Sequence, residues 1–423
     1  MLSIKFIREN ADLVKEKIAN KNVNINLDEF LSLDQKRIAL QQEADVLKQE
    51  RNSVSKEIGK IKAQGGDISE ITAKTKDLSD RIKDLDTEIR DVEEKFNAIY
   101  FAIPNMYHDS VPLGKSEDDN VVYREANGEL KEKSKDHIQI CEELGIIDFT
   151  RGAKISGSGF PVYRGFGARL ERAVISFMLE LHADKHGYEE MLPPFLVTSQ
   201  TAFGTGQLPK SKDQMYYMNE DDLYAVPTAE VPVTNLYRDE TVDISEKPMS
   251  FVAYTPCFRR EAGSWGKDTR GLLRLHQFNK VELVKYVKPE ESYAELEKLR
   301  DNAEEVLRLL KLPYRILLLC SADLSFAASK CYDLELWAPG TKKFLEVSSC
   351  SNFEDFQSRR MNIRFRNEDN KLELVHTLNG SGVATARLMV AIIETYYNEE
   401  TGVLEIPEVL RPYLGGRESY SGK

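Results

Sequence analysis

The sequence predicts an α+β protein, in which an N-terminal antiparallel two-helix coiled-coil arm precedes a larger domain built on an antiparallel β-sheet with flanking helices. Apolar residues follow a seven-residue repeat between about 28 and 100, and a pair of glycines interrupts this repeat near its middle. After residue 135, short apolar runs are separated by hairpin-scale connectors, without regular βαβ alternation. We therefore divide the 423-residue chain into residues 1–105 and 106–423, with a linker over about 106–135.

The repeat within the arm consists of two interleaved apolar series, which together form the a and d seam of a coiled coil. Gly65-Gly66-Asp67 separates the two halves and predicts a turn followed by a helix N-cap. Each helix of the resulting hairpin is expected to be roughly 45 Å long at a rise of 1.5 Å per residue. The repeating positions are Leu40, Leu47, Val54 and Ile61 in the first half, and Ile71, Leu78, Leu85, Val92 and Ile99, with Ile68, Ile82, Ile89 and Phe96, in the second.

The two halves of the arm differ in charge. Residues 35–64 contain seven Lys and Arg against four acids, whereas residues 67–95 contain six basic and ten acidic residues. The formal net charge of −12 argues against indiscriminate nucleic-acid binding, so a polyanion partner would need a local basic surface. The first helix is either a solvated coiled-coil flank or a probe for an extended polyanion. The basic residues that would serve this contact are Lys48, Arg51, Lys56, Lys60 and Lys62.

Several classes of protein are excluded by composition. No apolar run approaches the length of a membrane span, and residues 1–8 lack the apolar core of a signal peptide. Five widely spaced cysteines, without a CxxC pair, are typical of reduced thiols in a cytoplasmic protein. Neither GxGxxG nor GxxxxGK[ST] occurs, so the two common nucleotide-binding loops are absent from the sequence.

The larger domain contains helical and strand patterns in alternation with short loops. Helices are predicted over 168–186, 291–310 and 383–397, and strands over 191–197, 249–254, 275–286 and 315–320. The strands at 249–254 and 275–286 form an antiparallel hairpin with Phe258-Arg259-Arg260-Glu261 at one shoulder and His276-Gln277-Phe278 at the other. The connector, 262–273, contains Gly263, Gly266, Gly271, Lys267 and Arg270. Guanidinium groups match phosphate geometry and a phenyl ring can stack on a base, so the hairpin suits a nucleoside triphosphate; a salt-bridged surface hairpin is the alternative.

Three further segments carry suitable chemistry. Thr228-Ala229-Glu230 offers a hydroxyl and a carboxylate to an ammonium group. Glu346-Val347-Ser348-Ser349 offers oxygen ligands for Mg²⁺; strand alternation puts Glu346 and Ser348 on one face, and Ser349 joins them only through a local bend. Asn379-Gly380-Ser381-Gly382 leads into a helix with Arg387, where glycines allow close backbone approach and the arginine can reach a phosphate. A helix cap, a surface charge and a turn are the respective alternatives.

Taken in this order, the segments closely resemble those of bacterial-type seryl-tRNA synthetases, which are class II aminoacyl-tRNA synthetases. The Phe-Arg-x-Glu hairpin is similar to motif 2, the Gly-Ser-Gly segment up to Arg387 to motif 3, and Glu189 to Phe195, with Pro193 and Pro194, to motif 1. The heptad hairpin resembles the tRNA-binding arm of that family. The resemblance extends from Met1 to Leu414 and implies a class II catalytic domain in residues 106–423.

The resemblance implies a role for each matching residue. Arg259 and Arg387 would be catalytic, and Glu346 and Ser349 would bind Mg²⁺. L-Serine would be bound by Thr228, Ala229, Glu230, Arg259, Glu282, Asn379 and Ser381. ATP would be bound by Arg259, Arg260, Glu261, Arg274, Phe278, Glu346, Val347, Ser348, Ser349 and Arg387. Arg260 and Trp265 depart from the usual family pattern, which puts the behaviour of the hairpin loop in doubt.

The implied activity is that of a serine–tRNA ligase. ATP would activate L-serine as seryl-adenylate, which would be transferred to the 3′-terminal adenosine of tRNA(Ser), with tRNA(Sec) as a second candidate substrate. The family also implies a homodimer in the cytoplasm. Two rival interpretations are a ligase that loads a carrier protein, which would lack the long arm, and a non-catalytic coiled-coil scaffold, which would not need the charged motifs. A class I synthetase is disfavoured because neither HIGH nor KMSKS occurs.

Overall fold

The computed structural model describes residues 1–126, 128, 130–262 and 270–422. By internal contacts the chain forms two compact units: Ser3–Ala19 with Val23–Pro104, and Met1–Leu2 and Asn20–Asn22 with Asn105–Lys423. Among the described residues, no helix has the length and apolar character that crossing a membrane requires. The part of the hairpin connector that holds Gly263, Trp265, Gly266 and Lys267 lies outside the described residues.

The N-terminal unit is helical. Its helices are α1 (Ile4–Glu9), α2 (Ala11–Asn20), α3 (Leu27–Ala63) and α4 (Ser69–Tyr100). Helices α3 and α4 pair along their length, which confirms the predicted helical hairpin. With 37 and 32 residues, they are about 55 and 48 Å long at 1.5 Å per residue, longer than predicted.

The heptad positions form the seam between α3 and α4. Ala44, Leu85 and Ile89 make one buried cluster, and Phe30 stacks on Phe96 with ring centroids 4.8 Å apart. The turn differs slightly from the prediction, since α4 begins at Ser69 and Ile68 occupies the cap position. Asp67 still caps the helix, because its carboxylate accepts a hydrogen bond from the Ser69 amide at 2.9 Å. Ion pairs along the seam join the two helices: Lys36 to Glu88, Lys48 to Asp86, Arg81 to Glu43 and Lys74 to Glu50.

The larger unit combines helices with several sheets. Its helices are α5 (His137–Leu144), α6 (Phe149–Ser156), α7 (Phe166–Glu180), α8 (Ser199–Gly204), α9 (Glu230–Val233), α10 (Ser292–Leu309), α11 (Phe356–Met361) and α12 (Thr385–Tyr396). Short 3₁₀ segments occur at Glu117–Asp119, Lys212–Gln214, Pro289–Glu291, Glu408–Leu410 and Pro412–Leu414, and a π-helical segment at Leu181–Lys185.

The strands are named in chain order. They are β1 (Val121–Ala126), β2 (Ile147–Asp148), β3 (Val162–Tyr163), β4 (Glu189–Met191), β5 (Leu196–Thr198), β6 (Tyr217–Met218), β7 (Leu223–Ala225), β8 (Thr241–Val242), β9 (Met249–Phe258), β10 (Gln277–Val287), β11 (Tyr314–Leu318), β12 (Lys330–Ala338), β13 (Lys343–Asn352), β14 (Arg364–Arg366), β15 (Leu372–Leu374), β16 (His376–Ala384), β17 (Tyr397–Asn398), β18 (Val403–Glu405) and β19 (Ser419–Tyr420).

Within the described residues, the main sheet has eight strands in the order β1-β11-β12-β13-β16-β10-β9-β4. Its pairs are antiparallel except for the parallel pair of β4 and β9, so the predicted fold class is confirmed. Strands β9 and β10 form the predicted hairpin, with Phe258 opposite Gln277. Two sequence interpretations need correction. Part of the predicted linker is the edge strand β1, and the predicted strand at 191–197 is divided between β4 and β5. Pro193 and Pro194, which have no amide hydrogen to donate, lie between these two strands.

Strand β10 explains where the core and the site lie. Val281, Leu283 and Val287 belong to the main hydrophobic core together with residues of α7, α10 and α12. Successive side chains of a strand point to opposite faces, so the alternate positions face away from these helices. Among these, Phe278 is half-buried, whereas Lys280 and Glu282 are buried. One face of β10 therefore packs in the hydrophobic core, and the first residues on its other face are available to form a site.

Candidate active site

A cavity of about 480 Å³ opens on the face of the main sheet that carries Lys280 and Glu282. Side chains from β10, β13, β16 and α12 line it, together with Arg259 and Glu261 just after β9 and with segments around residues 205–211 and 325–327. The structure thus brings together predicted site residues that are up to 159 positions apart in the chain, from Thr228 to Arg387. The predicted site residues on its wall are Thr228, Glu230, Arg259, Glu261, Arg274, Phe278, Glu282, Glu346, Val347, Ser349, Asn379, Ser381 and Arg387.

The side chains of three predicted site residues do not line this cavity, which corrects the sequence interpretation. Ala229 is fully buried in a separate apolar cluster. Ser348 is buried, and its hydroxyl donates to the Ser381 carbonyl at 2.6 Å. Arg260 is exposed, and its amide donates to the Gln214 carbonyl at 2.8 Å. Side chains at adjacent positions of an extended chain diverge, so each motif contributes only part of its residues to the wall.

A bulge in β13 decides which side chains of Glu346-Val347-Ser348-Ser349 face the cavity. Ser348 lies opposite Leu334 and Glu346 lies opposite Glu335, so Val347 is the extra residue in the ladder. The inserted residue shifts the alternation by one. Glu346 and Ser349 consequently share the cavity face, and Ser348 points to the other side. The predicted bend is present, but the prediction that Ser348 shares a face with Glu346 is wrong.

The three arginines of the cavity are held by named acceptors. Arg259 donates from Nε to the Pro227 carbonyl at 3.3 Å, and its guanidinium carbon lies 5.1 Å from the centre of the Phe278 ring. Arg274 forms an ion pair with Glu261. Arg387 donates to the carbonyls of Glu346 at 2.7 Å and Leu273 at 3.2 Å. Arg387 Nη1 also lies 3.7 Å from Glu346 Oε2, so its charge is partly shared with that carboxylate. Arg259 is held by a neutral carbonyl and keeps its positive charge available for an anion.

The cavity wall also contains buried acidic residues. Thr228 and Glu230 are buried together, and the Thr228 hydroxyl accepts a hydrogen bond from the Glu230 amide at 3.2 Å. Burial, followed by the neighbouring charge of Glu282, raises the pKa of Glu230 to about 7. Glu282 is buried beside Lys280, whose Nζ lies 2.6 Å from Glu282 Oε2. In the register of β10 and β16, Glu282 faces Ser381. This part of the wall combines two carboxylates with hydroxyls, a set that receives an ammonium and a hydroxyl group.

Two family models match the chain. The model of the seryl-tRNA synthetase N-terminal domain matches residues 1–107, and that of the tRNA synthetase class II core domain (G, H, P, S and T) matches residues 214–396. The serine–tRNA ligase of Chloroherpeton thalassium is 58% identical over 327 residues, which cover 76% of each of the two chains. The chain belongs to the seryl-tRNA synthetase family.

Solved structures of this family have the same fold. Seryl-tRNA synthetase from Pyrococcus horikoshii, which was solved complexed with ATP, is 38% identical with a TM-score of 0.88, and the match covers 100% of this chain and 99% of that one. The cytoplasmic serine–tRNA ligase from Naegleria fowleri, solved in complex with AMP, is 27% identical with a TM-score of 0.84 over the same shares. The resemblance inferred from the motifs is therefore confirmed.

The cavity wall also contains residues that sequence reasoning missed. Lys280 and Ser351 are buried there, and Gln207 lines the wall beside Thr205. Strand alternation could have found Lys280, which lies two residues before Glu282 on the same strand face. Segments 205–207 and 325–327 carry no comparable pattern in the sequence, because only the tertiary fold brings these loops to the cavity.

The sequence suggested that the glycines of the motif 3 segment allow the backbone to approach a ligand, but the structure indicates that they allow close packing in the core. A Cβ on Gly380 would lie 2.4 Å from Leu299 Cδ2 and 2.7 Å from Cys350 Sγ. A Cβ on Gly382 would lie 2.9 Å from His182 Nε2. These contacts are with the protein core, so the missing side chains allow β16 to pack closely against its neighbours rather than against a ligand.

The predicted basic surface of the arm is only partly free. Lys48 forms an ion pair with Asp86 of α4 at 2.8 Å, so its charge already contributes to the pairing of the two helices. Lys56, Lys60 and Lys62 are exposed, and Arg51 is half-buried. Across the described part of the arm, no ion pair engages these four residues. They lie in the half of α3 that ends at the turn.

Proposed function

We propose that this chain is a serine–tRNA ligase that activates L-serine with ATP and transfers it to the 3′ end of tRNA. Residues 1–105 form the tRNA-binding domain and residues 106–423 the catalytic domain. The observation that carries the proposal is that one cavity wall contains Arg259 and Arg387 together with the buried carboxylates of Glu230 and Glu282. Membership of the seryl-tRNA synthetase family supports the same reaction.

Each polar group of serine has a partner of suitable chemistry. Glu230 and Thr228 receive the ammonium group, and Arg259 holds the carboxylate. Glu282 and Ser381 receive the hydroxyl, and Asn379 adds an amide on the same strand as Ser381. Because Glu282 is buried, a substrate without a hydroxyl leaves a desolvated carboxylate without a hydrogen bond, which is the basis of selection against alanine.

Other residues of the cavity wall suit ATP. Phe278 stacks on the adenine ring, Glu261 accepts from the adenine amino group, and Arg274 and Arg387 hold the distal phosphates. The ion pair of Arg274 with Glu261 places the phosphate ligand beside the base ligand before ATP arrives. A related protein, that of Pyrococcus horikoshii, was solved complexed with ATP, which supports this assignment.

Mg²⁺ fits beside the triphosphate, with Glu346 and Ser349 as its protein ligands. Both side chains line the cavity and offer the hard oxygen atoms that Mg²⁺ prefers. Groups of three or more His, Cys, Asp or Glu residues that could hold a metal are absent among the described residues, so phosphate and water must complete the coordination. When bound, the ion supplies positive charge to the phosphate oxygens.

Activation is an in-line displacement. A serine carboxylate oxygen forms a bond to the α-phosphorus of ATP, and the bond from that phosphorus to the β-phosphate oxygen breaks, which releases pyrophosphate. Arg259 holds the carboxylate and the α-phosphate together and stabilises charge as it develops. Positioning and charge stabilisation are sufficient, so no protein nucleophile is required.

Transfer to tRNA completes the reaction. The 3′-hydroxyl oxygen of the terminal adenosine attacks the carbonyl carbon of seryl-adenylate, AMP leaves as the anion, and the hydroxyl proton passes to the AMP phosphate or to water. The tRNA backbone is contacted by basic residues of the arm, namely Arg51, Lys56, Lys60 and Lys62. Lys48 adds a weaker contact with the tRNA, because its charge is shared with Asp86. tRNA(Ser) is the substrate, and tRNA(Sec) is a second candidate.

We further propose that two copies associate as a homodimer and act in the cytoplasm. The motif 1 segment supports this association, because Leu192 beside β4 is exposed over 79% of its surface and offers an apolar contact. Sedimentation velocity at micromolar concentration tests it. A single species at the monomer mass of 48.3 kDa would contradict the dimer.

Exchange of labelled pyrophosphate into ATP tests the proposed activity. Serine should support exchange without tRNA, and alanine should not. Addition of tRNA(Ser) or tRNA(Sec) transcripts then distinguishes the nucleic-acid acceptors from the rival acceptor, a carrier protein. Serine-dependent exchange without charging of either tRNA would favour the carrier-protein ligase, and absence of exchange would exclude the adenylation site.

A further inference from the structure

We propose that Lys280 determines serine specificity: its ammonium group compensates the charge of the Glu282 carboxylate and fixes it as the acceptor for the hydroxyl of the substrate. Lys280 acts through Glu282, so it is a positioning residue. The inference rests on the proposed function, in which Glu282 receives the serine hydroxyl. It extends that function to a residue outside the recognised motifs.

The geometry brings the two side chains together inside the cavity. Lys280 Nζ lies 2.6 Å from Glu282 Oε2, and the two side chains are only 9% and 3% exposed. They are two residues apart on β10, which places both on the cavity face. The contact is an ion pair without hydrogen-bond geometry, since Oε2 has no hydrogen-bond partner among the described residues. Because that oxygen is buried, the ammonium group of Lys280 compensates its charge and fixes the orientation of the carboxylate.

Charge balance explains why a cation is needed here. Glu230 and Glu282 face the same buried space, where two carboxylates without a cation cannot both remain ionised. The pKa of Glu230 is raised by burial and then by Glu282, whereas Lys280 and the hydrogen bonds from Gln357 and Asn379 lower it. Removal of the Lys280 charge would favour uptake of a proton by this carboxylate pair.

Polar and charged groups from the neighbouring strands and helices also face the Lys280–Glu282 pair. Arg259, at the end of β9, lies over Phe278 and bonds the Pro227 carbonyl. Thr255 and Cys257 on β9 are buried near Lys280, and burial raises the pKa of the Cys257 thiol, so it is neutral. Gln357 of α11 donates to Glu230 at 2.7 Å, and Asn379 and Ser381 of β16 are uncharged. Lys280 is therefore the cation in contact with Glu282 within the described residues.

The fixed position of the Glu282 carboxylate and the charge of its pair with Glu230 both matter for specificity. A buried carboxylate that loses its hydrogen bond when alanine binds is penalised more strongly than a neutral carboxylic acid in the same place. Without Lys280, the proton that the pair takes up would lower this penalty and leave the Glu282 side chain free to rotate. Selection of serine over alanine should decline, even though Glu282 is still present.

A buried structural ion pair is the ordinary alternative, and β10 contains a matched example. Lys285 Nζ lies 2.8 Å from Glu295 Oε2, with side chains 6% and 9% exposed. Neither residue lines the cavity. Lys285→Met therefore reproduces the loss of a buried lysine charge from the same strand and should affect stability alone.

The test compares Lys280→Met, Glu282→Gln, the double variant and Lys285→Met in full-length protein. Pyrophosphate exchange gives the ratio of kcat/KM for serine to that for alanine, together with its dependence on pH. Lys280→Met should lower the ratio by about tenfold or more and move the acidic inflection of kcat/KM for serine to higher pH. Lys285→Met should retain the wild-type ratio and inflection. In the Glu282→Gln background, Lys280→Met should not lower the ratio further.

Circular dichroism and thermal unfolding establish that each variant is folded, and Lys280→Gln carries the same expectations if Lys280→Met is not. The inference is overturned if the Lys280 variants keep the wild-type ratio, if Lys285→Met lowers it equally, or if the loss persists without Glu282. A wild-type ratio in Glu282→Ala would instead contradict the proposed role of Glu282, so the two failures are distinguishable.

Discussion

Glu282 lies directly opposite Ser381 where β10 pairs with β16, and the next pair in the ladder joins Val281 to Val383. Gly382 is therefore an extra residue on β16, and the bulge aligns the hydroxyl of Ser381 with the carboxylate of Glu282 at the wall of the cavity. Sites that hydrogen-bond a substrate hydroxyl can reject the analogue without it, because their buried polar groups are then unpaired.

Glu282→Ala should therefore impair selection more than catalysis with ATP. We expect the preference for serine over alanine to decrease by about 10² to 10⁴-fold, while the KM for ATP changes little. Pyrophosphate exchange with each amino acid measures the preference. Glu335→Ala is a suitable control, because Glu335 is paired with Arg315 and does not line the cavity. An unchanged preference in Glu282→Ala would contradict the assignment.

Glu230 should make serine binding depend on pH. Its pKa is raised to about 7, so the carboxylate is protonated at lower pH and loses its attraction for an ammonium group. We expect kcat/KM for serine to decrease as the pH falls through about 7, and Glu230→Gln to remove this inflection and to lower kcat/KM throughout. Exchange rates from pH 5.5 to 8.5 measure the profile. A profile that is flat in the wild type would rule out this role.

The raised pKa of Glu230 also makes the stability of the fold decrease as the pH rises. The folded-state pKa of Glu230 is higher than that of an unfolded chain, so this group contributes stability at pH values below its ordinary pKa and loses that contribution as the pH rises through about 7. Glu230→Gln should therefore stabilise the protein more at pH 8 than at pH 5. Thermal unfolding of both proteins at pH 5 and pH 8 measures the stabilisation by Glu230→Gln. An equal stabilisation at the two pH values would contradict a raised pKa of Glu230.

Arg259→Lys should slow adenylate formation by about 10²-fold to 10³-fold. A lysine keeps the charge but cannot hold a carboxylate and a phosphate with the fork of a guanidinium, and a lost charge-stabilising donor costs about 3–4 kcal/mol in comparable sites. Single-turnover formation of seryl-adenylate measures the step directly. The matched control is Arg364→Lys on β14, an exposed arginine remote from the cavity wall. Equal rates for Arg259→Lys and the control would refute the assignment.

The arm should affect tRNA charging alone. Reversal of the exposed charges of Lys56, Lys60 and Lys62 to glutamate should raise the KM for tRNA by about tenfold or more at 0.15 M salt and reduce its salt dependence. Serine-dependent pyrophosphate exchange should be unchanged. The control reverses Lys76 and Lys83, exposed residues of the acidic helix α4. If both sets reduce charging equally, the net charge of the arm matters rather than the surface of α3.

Two Gly→Ala substitutions should have opposite effects on stability. Gly380→Ala places a Cβ 2.4 Å from Leu299 and should destabilise the fold by about 1–3 kcal/mol, because the core must shift to admit it. Gly59 lies inside α3 with no atom within 4 Å of an added Cβ, so Gly59→Ala should stabilise the arm by about 0.5–1 kcal/mol. Denaturant unfolding of both variants checks the signs. A neutral Gly380→Ala would mean that β16 can move away from Leu299.

The sequence by itself determined the elements that have a strong local period or a specific motif. The heptad series predicts α3 and α4, because apolar residues spaced at 3.5 positions must share one helix face. Two apolar runs separated by a glycine-rich connector predict the β9–β10 hairpin, because such runs are typical of adjacent antiparallel strands. The motifs also identified 13 of the 28 residues that line the cavity, because the chemistry of each side chain can be read from the sequence.

Only the tertiary structure decided which side chains act together. The bulge at Val347 turns Ser349 toward the cavity and Ser348 away from it, and the bulge at Gly382 sets Ser381 against Glu282. Such register shifts depend on pairing between strands that are distant in sequence, so no local pattern specifies them. Strand alternation puts Lys280 on the same face as Glu282, but only the tertiary structure shows that both side chains are buried at one wall and form an ion pair.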